Sequence, residues 1–564
     1  MAFHALVKAT QLAYALMSSV HSRAQPQIAK PAPMTDPSSE NTYDVIPYPS
    51  YPFAETHPNR LATVATLFGM LPPPVENCRV LELACARGDN LIPMAMDLPK
   101  SEFVGIDLSG GQIQDGLKVV EELGLKNIRM RQMNILELDP EIGQFDYIIA
   151  HGVYSWVPPE VQNEILAVFR RCLRPNGVAF ISFNTYPGWH QRGMLRDMML
   201  YHIRGVESAH ARIDQSKSLL SFLCKAIPEE LVGYANIFKK ERQGLDESKG
   251  RDSYLFHEFL EEHNEPLYFY EFIDRAAQHG LQFLGEANIA DMQPERIGPN
   301  VAETLDQLGD DIIKREQYID YVTNGTFRET LLCHGDVPVD RSLVVERVFD
   351  MHAAAALSWG NGKPDIHSNE VVTFTSPRKL NASTGHPVSK AALVHLSENW
   401  PQAFSFDDLQ AAARARLIPN DVVVQSADEY HHDTQMLAGN LLKAHLAGAI
   451  ELHVRPPQLT TEVSQRPLAS HWARFQARNG SIVTNRRHEG VEVNEVNLRL
   501  LELLDGTRER AQLLDELVQI VVEKGMIVQQ EGRPVSGEER VREVLDEGLA
   551  KNLRSLAEAA LLIG

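Results

Sequence analysis

Two carboxylates close neighbouring apolar runs early in the chain. Glu82 lies in the strand-like run Arg79–Leu83, and Asp107 ends the next one, Glu102–Asp107. Between them Ala84-Cys85-Ala86-Arg87-Gly88-Asp89-Asn90 is a short loop, mostly of small residues. An apolar, helix-like run follows from Leu91 to Leu98. Strand, tight loop and helix start form a layout in which backbone N–H groups can face a nucleotide. An acid at the tip of the second strand is placed to take both hydroxyls of a ribose. Dinucleotide sites share that acid, but they need a GxGxxG loop to approach a pyrophosphate, and here only Gly88 is present. Glu82 in the loop signature points instead to S-adenosylmethionine. A carboxylate there can pair with the charged amino end of that cofactor, which carries no pyrophosphate. Alanines at 84 and 86 are more tolerable on that reading. The plainer alternative is a pair of surface acids at strand ends.

Such a site needs a sheet edge to hold it. Strand-like runs recur at 79–83, 102–107, 127–132, 145–151 and 177–183, separated by helical segments at 89–98, 111–123 and 159–173. The last helix stops at Pro175 and Gly177. Alternating βαβ units predict a parallel sheet covered on both faces, with ligands at the strand C-termini. Residues 190–265 read as a helical insertion, after which late strands at 280–287 and 326–334 complete an α/β, Rossmann-like sheet of seven strands. The expected organisation is a leader (1–40), a core with a lid (41–189), the insertion (190–265), the rest of the sheet (266–340) and a linker (341–388). A winged-helix-like module (389–457) and a C-terminal helical module (458–564) follow. Within the linker, AAAALSW (353–359) reads as helix and EVVTFTSP (370–377) as strand.

The bulk composition narrows the function classes. At 564 residues the chain exceeds a single core, and its 44% hydrophobic and 23% charged content is that of a globular protein. A net charge of −21 argues against nonspecific binding to nucleic acid or to anionic membrane. It also makes the C-terminal helical patterns interaction or dimerisation modules rather than DNA readers. Cysteines 78, 85, 172, 224 and 333 are dispersed with no CxxC pair, which predicts reduced thiols and a cytoplasmic location. No apolar run reaches the length of a membrane span. Residues 1–27 contain no acid and weakly resemble a signal or transit peptide; the alternative is a start codon upstream of a true beginning at Met34. Residues 1–40 are expected to be unfolded on either view.

Several longer segments carry a resemblance: YDVIPYPSYPFAETHPNRL (43–61), ELACARGDNLIPMA (82–95), GIDLSGGQI (105–113), HGVYSWVP (151–158), NTYPGWH (184–190), YLFHEFLEEHNEPLYF (254–269) and FRETLLCH (327–334). VTNRRHEG and LLDGTRERAQLL extend it into the C-terminal region. The chain resembles class I S-adenosylmethionine-dependent methyltransferases with a methyltransferase regulatory domain, a group that includes the rickettsial protein-lysine methyltransferases. The family loop has glycine where Ala84 stands and smaller residues at Arg87 and Asp89, which here either pair with each other or face solvent. The resemblance places Glu82, Ala84, Gly88 and Asn90 around the methionine part of the cofactor. It places Asp107, Leu108 and Gln112 at ribose and adenine, Asn134 and Ile135 at the base, and His151 at the reacting end. Tyr43, Tyr48 and Tyr51 would form a lid, or simply pack on the sheet.

Methyl transfer from a sulfonium needs orientation and exclusion of water, and no metal. Tyr154, Trp156, Tyr186 and Trp189 follow strands four and five and are expected to wall the acceptor site, with His151 or Tyr154 as proton acceptor. The resemblance implies a protein lysine as acceptor. A small-molecule acceptor and a degenerate scaffold without catalysis are the alternatives, and a homodimer is compatible with the chain. The histidines at 431, 432, 445 and 453 read as surface residues rather than a metal set.

Overall fold

The computed structural model describes residues 45–46, 51–248, 251–307, 311–360, 362–417, 426–530, 533–535 and 537–564. The expected leader and the lid tyrosines Tyr43 and Tyr48 lie outside them. Strands β1 (Arg79–Leu83), β2 (Glu102–Asp107), β3 (Ile128–Gln132), β4 (Phe145–Ala150), β5 (Leu173–Asn184), β6 (Leu281–Glu286) and β7 (Phe327–His334) form one sheet. Their order is β3-β2-β1-β4-β5-β7-β6. The first five pair in parallel, whereas β7 runs antiparallel to both β5 and β6. Every residue of β4 is buried, as expected where helices cover both faces of a parallel sheet. Helices α1 (Pro58–Leu67), α2 (Leu91–Asp97), α3 (Gly110–Glu122) and α4 (Pro159–Cys172) belong to this layer.

Among the described residues three apolar cores stand out. The largest joins the sheet and its helices with residues from the 341–457 region, including Met351, Leu393, Leu409, Leu441 and Leu452. A second, around Leu195, Met199, Phe238 and Phe259, belongs to the helices between 188 and 260. The third, around Leu500, Leu517, Val521 and Leu549, holds the C-terminal segment from 469 onward.

One local expectation fails. The stretch 353–359 is not helical: His352–Ala354 is a strand between Phe404–Ser405 and Glu451–His453. Ala353 and Ala354 are almost fully buried. Their small side chains let backbone sit deep between two partners, and that pairing overrides alanine's helix propensity. The histidine reading also needs correction. His431 and His432 are exposed, but His445 and His453 are buried. His453 sits between Asn59 and Glu451. Among the described residues no helix is long and apolar enough to cross a membrane.

Candidate active site

The loop after β1 has the shape of a glycine loop without its glycines. Ala84 and Ala86 adopt φ of 60° and 49°, and Gly88 adopts 83°. For a side chain bearing Cβ, this left-handed backbone costs roughly 1–2 kcal/mol per residue. Three hydrogen bonds hold it: Cys85 N–H donates to Ile106 O (3.0 Å), Gly88 N–H to Cys85 O (2.8 Å) and Ala86 N–H to Asp107 Oδ2 (2.8 Å). Arg87 and Asp89, one of the two expected alternatives, pair with each other through two bonds of 2.9 and 3.0 Å. A Cβ on Gly105 would meet Cys85 Sγ at 2.7 Å, so β2 approaches the loop closely there.

Glu82 and Asp107 stand side by side at the sheet edge, since Glu82 is in register with Gly105 on one side and Ile149 on the other. Glu82 is 4% exposed. Its Oε1 accepts from Asn90 Nδ2 at 2.8 Å, while Oε2 has no hydrogen-bond partner among the described residues. Burial pushes its carboxyl up to about 8, against the opposing bond from Asn90 and with the help of nearby Asp107. A buried carboxylate oxygen with no donor is an open seat for a cationic group. Asp107 accepts from Ser109 N–H at 2.8 Å through Oδ1 as well as from Ala86 N–H through Oδ2, which fixes its carboxylate at the tip of β2.

The adenine-side candidates cluster at the tips of β2 and β3. Leu108 is 61% exposed, and the Gln112 backbone is fixed by Ser109, which caps α3. Asn134 turns its side chain to Leu136 N–H (3.0 Å), capping the turn that begins at the buried Ile135. Tyr51 is half-buried just before the turn Ala54–Thr56.

His151 follows β4 directly. Its ring stacks on Phe53 (3.7 Å between centroids) and lies near Phe180 and the edge of Phe327. Burial holds its pKa down at about 4, so it is neutral near pH 7. Its Nε2 is 3.8 Å from Glu329 Oε1. Glu329, on β7 opposite Ser182, was not among the expected site residues. Burial, together with Glu55, Glu286 and Asp291, raises its carboxyl to about 8 against the opposing Arg60. A groove of about 820 Å³ opens on this edge, with Glu286, Asp291, Phe327, Arg328 and Glu329 in its walls.

The aromatic candidates separate. Tyr154 is fully buried, edge-on to Phe183 and Phe272, so it packs in the core and does not wall an acceptor site. Two residues further along the same turn, Trp156 is only half-buried. Trp156 packs edge-on against Trp189, which is itself buried beneath Arg192. Tyr186 stacks on His190 and leans on Tyr268, part of a partly exposed aromatic cluster that continues to Tyr270 and Tyr321. Only His151, of the four catalytic candidates, is tied by a described contact to the edge where Glu82 and Asp107 stand.

Comparison with known proteins agrees with this geometry. Residues 80–177 match a methyltransferase domain, 251–334 a predicted methyltransferase regulatory domain, and 465–561 the C-terminal winged helix domain of PKMT. The winged helix model therefore falls on the segment expected to be a helical module, not on 389–457. Fold and site together define a class I S-adenosylmethionine-dependent methyltransferase, which uses that cofactor. An uncharacterized protein of Rickettsia prowazekii is 35% identical over 533 residues, covering 93% of this chain and 94% of its own. The solved structure of PKMT2 from Rickettsia typhi in complex with AdoHcy is 30% identical, with a TM-score of 0.81, covering 92% of this chain and 100% of that one. The chain belongs to the same methyltransferase family as these two rickettsial proteins.

Proposed function

We propose that this methyltransferase acts on the side-chain amines of lysines in a protein. The observation that carries the reading is the carboxyl of Glu329, set against neutral His151 at the strand edge and open to the groove. The name PKMT borne by the structural relative, read as protein-lysine methyltransferase, supports it. So does a C-terminal half larger than the chemistry needs, which on this reading presents or selects the acceptor.

In this assignment Glu82 Oε2 receives the cofactor's ammonium group and Asp107 its ribose hydroxyls. Ala84, Gly88 and Asn90 shape the pocket for the methionine part, and Tyr51 borders it. Leu108, Gln112, Asn134 and Ile135 surround the base. When bound, the cofactor supplies an electrophilic methyl group. The chain's residues prepare the acceptor. A lysine side chain with a pKa near about 10.4 arrives as ammonium and has no free lone pair. The faces of Phe53, His151 and Phe327 attract that cation. Ionised Glu329 then takes one proton, becoming a neutral carboxyl and leaving a neutral amine. His151 stays uncharged and adds no repulsion.

The test incubates the purified protein with methyl-labelled S-adenosylmethionine and a bacterial protein extract, followed by mass spectrometry. Label on lysine side chains is the expected result. Label confined to small molecules, or to other side chains, refutes the assignment.

A further inference from the structure

The amide of Asn90 is fully committed, and one of its partners comes from the far end of the chain. Nδ2 gives its two hydrogens to Glu82 Oε1 (2.8 Å) and Thr56 Oγ1 (3.0 Å). Oδ1 accepts from Phe53 N–H (2.9 Å) and from His488 Nε2 (2.8 Å). Asn90 stands at the N-cap of α2, yet its side chain makes no cap bond and serves this network instead. His488 lies in the turn between the strands Ile482–Thr484 and Gly490–Glu492, inside the winged helix match.

That turn is built to deliver the ring. Asn485 Oδ1 accepts from Arg487 and Glu489 N–H, Asn485 N–H donates to Glu489 O, and His488 adopts φ of 62°. His488 is 5% exposed, and burial keeps it uncharged; because Asn90 Oδ1 can only accept, the bond requires the tautomer that carries its proton on Nε2. Two residues earlier, Arg486 donates to Asp97, the last residue of α2, which Arg455 also holds at 2.9 Å. One short turn thus grips α2 at its N-cap and its last residue.

We infer that His488 is a positioning residue of the cofactor site. By holding Asn90 Oδ1 it fixes the amide so that Nδ2 occupies Glu82 Oε1 and leaves Oε2 for the cofactor's amino group. Cofactor affinity and docking of the winged helix domain are then coupled, and the coupling is reciprocal. The inference rests on the assignment of the amino end to Glu82.

Calorimetric titration of S-adenosylhomocysteine into the full chain tests it, with His488→Leu, His488→Gln and Glu82→Gln, each checked by thermal unfolding. Glu82→Gln and His488→Leu should each weaken binding about tenfold, the loss expected for one buried hydrogen bond made or broken. His488→Gln should recover affinity to within about threefold, because its amide N–H can donate to Asn90. In the wild type, S-adenosylhomocysteine should also slow amide exchange of residues 482–492, a readout that needs no variant to fold. Unchanged affinity in Glu82→Gln overturns the assignment of the amino end. Weakened Glu82→Gln with unaffected His488→Leu, or ligand without effect on exchange of the turn, overturns the role of His488 alone.

Discussion

Replacing Glu329 by Gln removes the proposed proton acceptor while keeping shape and one hydrogen-bonding oxygen. The wild-type carboxyl titrates at about 8 because it is desolvated and faces Glu55 from the turn Ala54–Thr56, Glu286 from β6 and Asp291 from the turn Ile289–Met292. Arg60 of α1 and neutral His151 are its other neighbours. Only about a tenth of the molecules are therefore ionised at pH 7, and about nine-tenths at pH 9. Productive encounter needs ionised Glu329 and an ammonium acceptor, so kcat/KM should climb roughly tenfold per pH unit below 8. It should stay flat from there to about 10, where a free lysine begins to lose its own proton. The Gln variant depends on acceptor that is already neutral. Its rate should be about 10²-fold lower at pH 7 and keep rising through pH 9 with no break near 8. Stability supplies the control. A carboxyl raised above its ordinary value costs the fold increasingly as pH rises from about 4.5 towards 8, so the variant should melt no lower than wild type at pH 9. Methyl incorporation into a lysine acceptor from pH 6 to 10, with S-adenosylmethionine saturating at every pH so that ionisation of Glu82 in the free site does not enter, measures both profiles. A break near 8 that survives in Glu329→Gln refutes the assignment of the proton to this residue.

Three further outcomes follow from the same geometry. Asp107→Ala should weaken S-adenosylmethionine binding at least tenfold by calorimetry, through lost charge-assisted bonds to ribose and lost support of Ala86 N–H; equal affinity would displace the ribose from this position. Ala86→Gly should relieve left-handed strain and raise stability by about 1 kcal/mol in denaturant unfolding, and a loss of stability would show that the loop is not held at positive φ. Arg328→Met would leave Glu286, Glu316 and Asp320 buried around a lost cation and should cost about 3–5 kcal/mol at pH 8. Glu316 and Asp320 already titrate at about 7 and 6 in the wild type, and without Arg328 they rise further. The deficit should therefore shrink as pH falls through that window and the carboxyls become neutral. A deficit that grows on acidification would contradict the network.

The parallel half of the sheet is legible in the chain because strands buried on both faces need continuous apolar runs; β4 is one such run. The cofactor acids are legible for a related reason: they end those runs, and ligands of open α/β sheets gather at strand C-termini. Glu329 escapes that rule. β7 is antiparallel, so its first residues, not its last, lie beside the end of β5, with Phe327 opposite Asn184 and Glu329 opposite Ser182. A search of strand ends therefore passes it by. His488 escapes because its partner lies 398 residues away, and no local pattern records such a contact. The aromatic candidates mislead for a third reason. Position after a strand names the sheet edge but not the depth of each ring, and in the turn Tyr154–Trp156 the first ring is fully buried while the second is only half-buried.

The loop alanines are where composition and conformation part. Read as letters, Ala84 and Ala86 look like decay of a glycine loop. Read as backbone, they hold the left-handed conformation for which glycine is usually selected, at a combined cost of about 2–4 kcal/mol. Three loop hydrogen bonds, each worth about 1 kcal/mol net, offset that cost, with a smaller contribution from the Arg87–Asp89 pair, whose arginine is half exposed. A loop without function would be expected to relax, because nothing would keep Asp107 Oδ2 committed to Ala86 N–H. The conformation is held where it matters: Glu82 Oε2 has no hydrogen-bond partner among the described residues, Asp107 is fixed by two backbone N–H groups, and Gly88 adopts φ of 83°. Glycine thus stands at the position with the largest positive φ of the three, and alanine stands at 84 and 86, in a loop that hydrogen bonds hold.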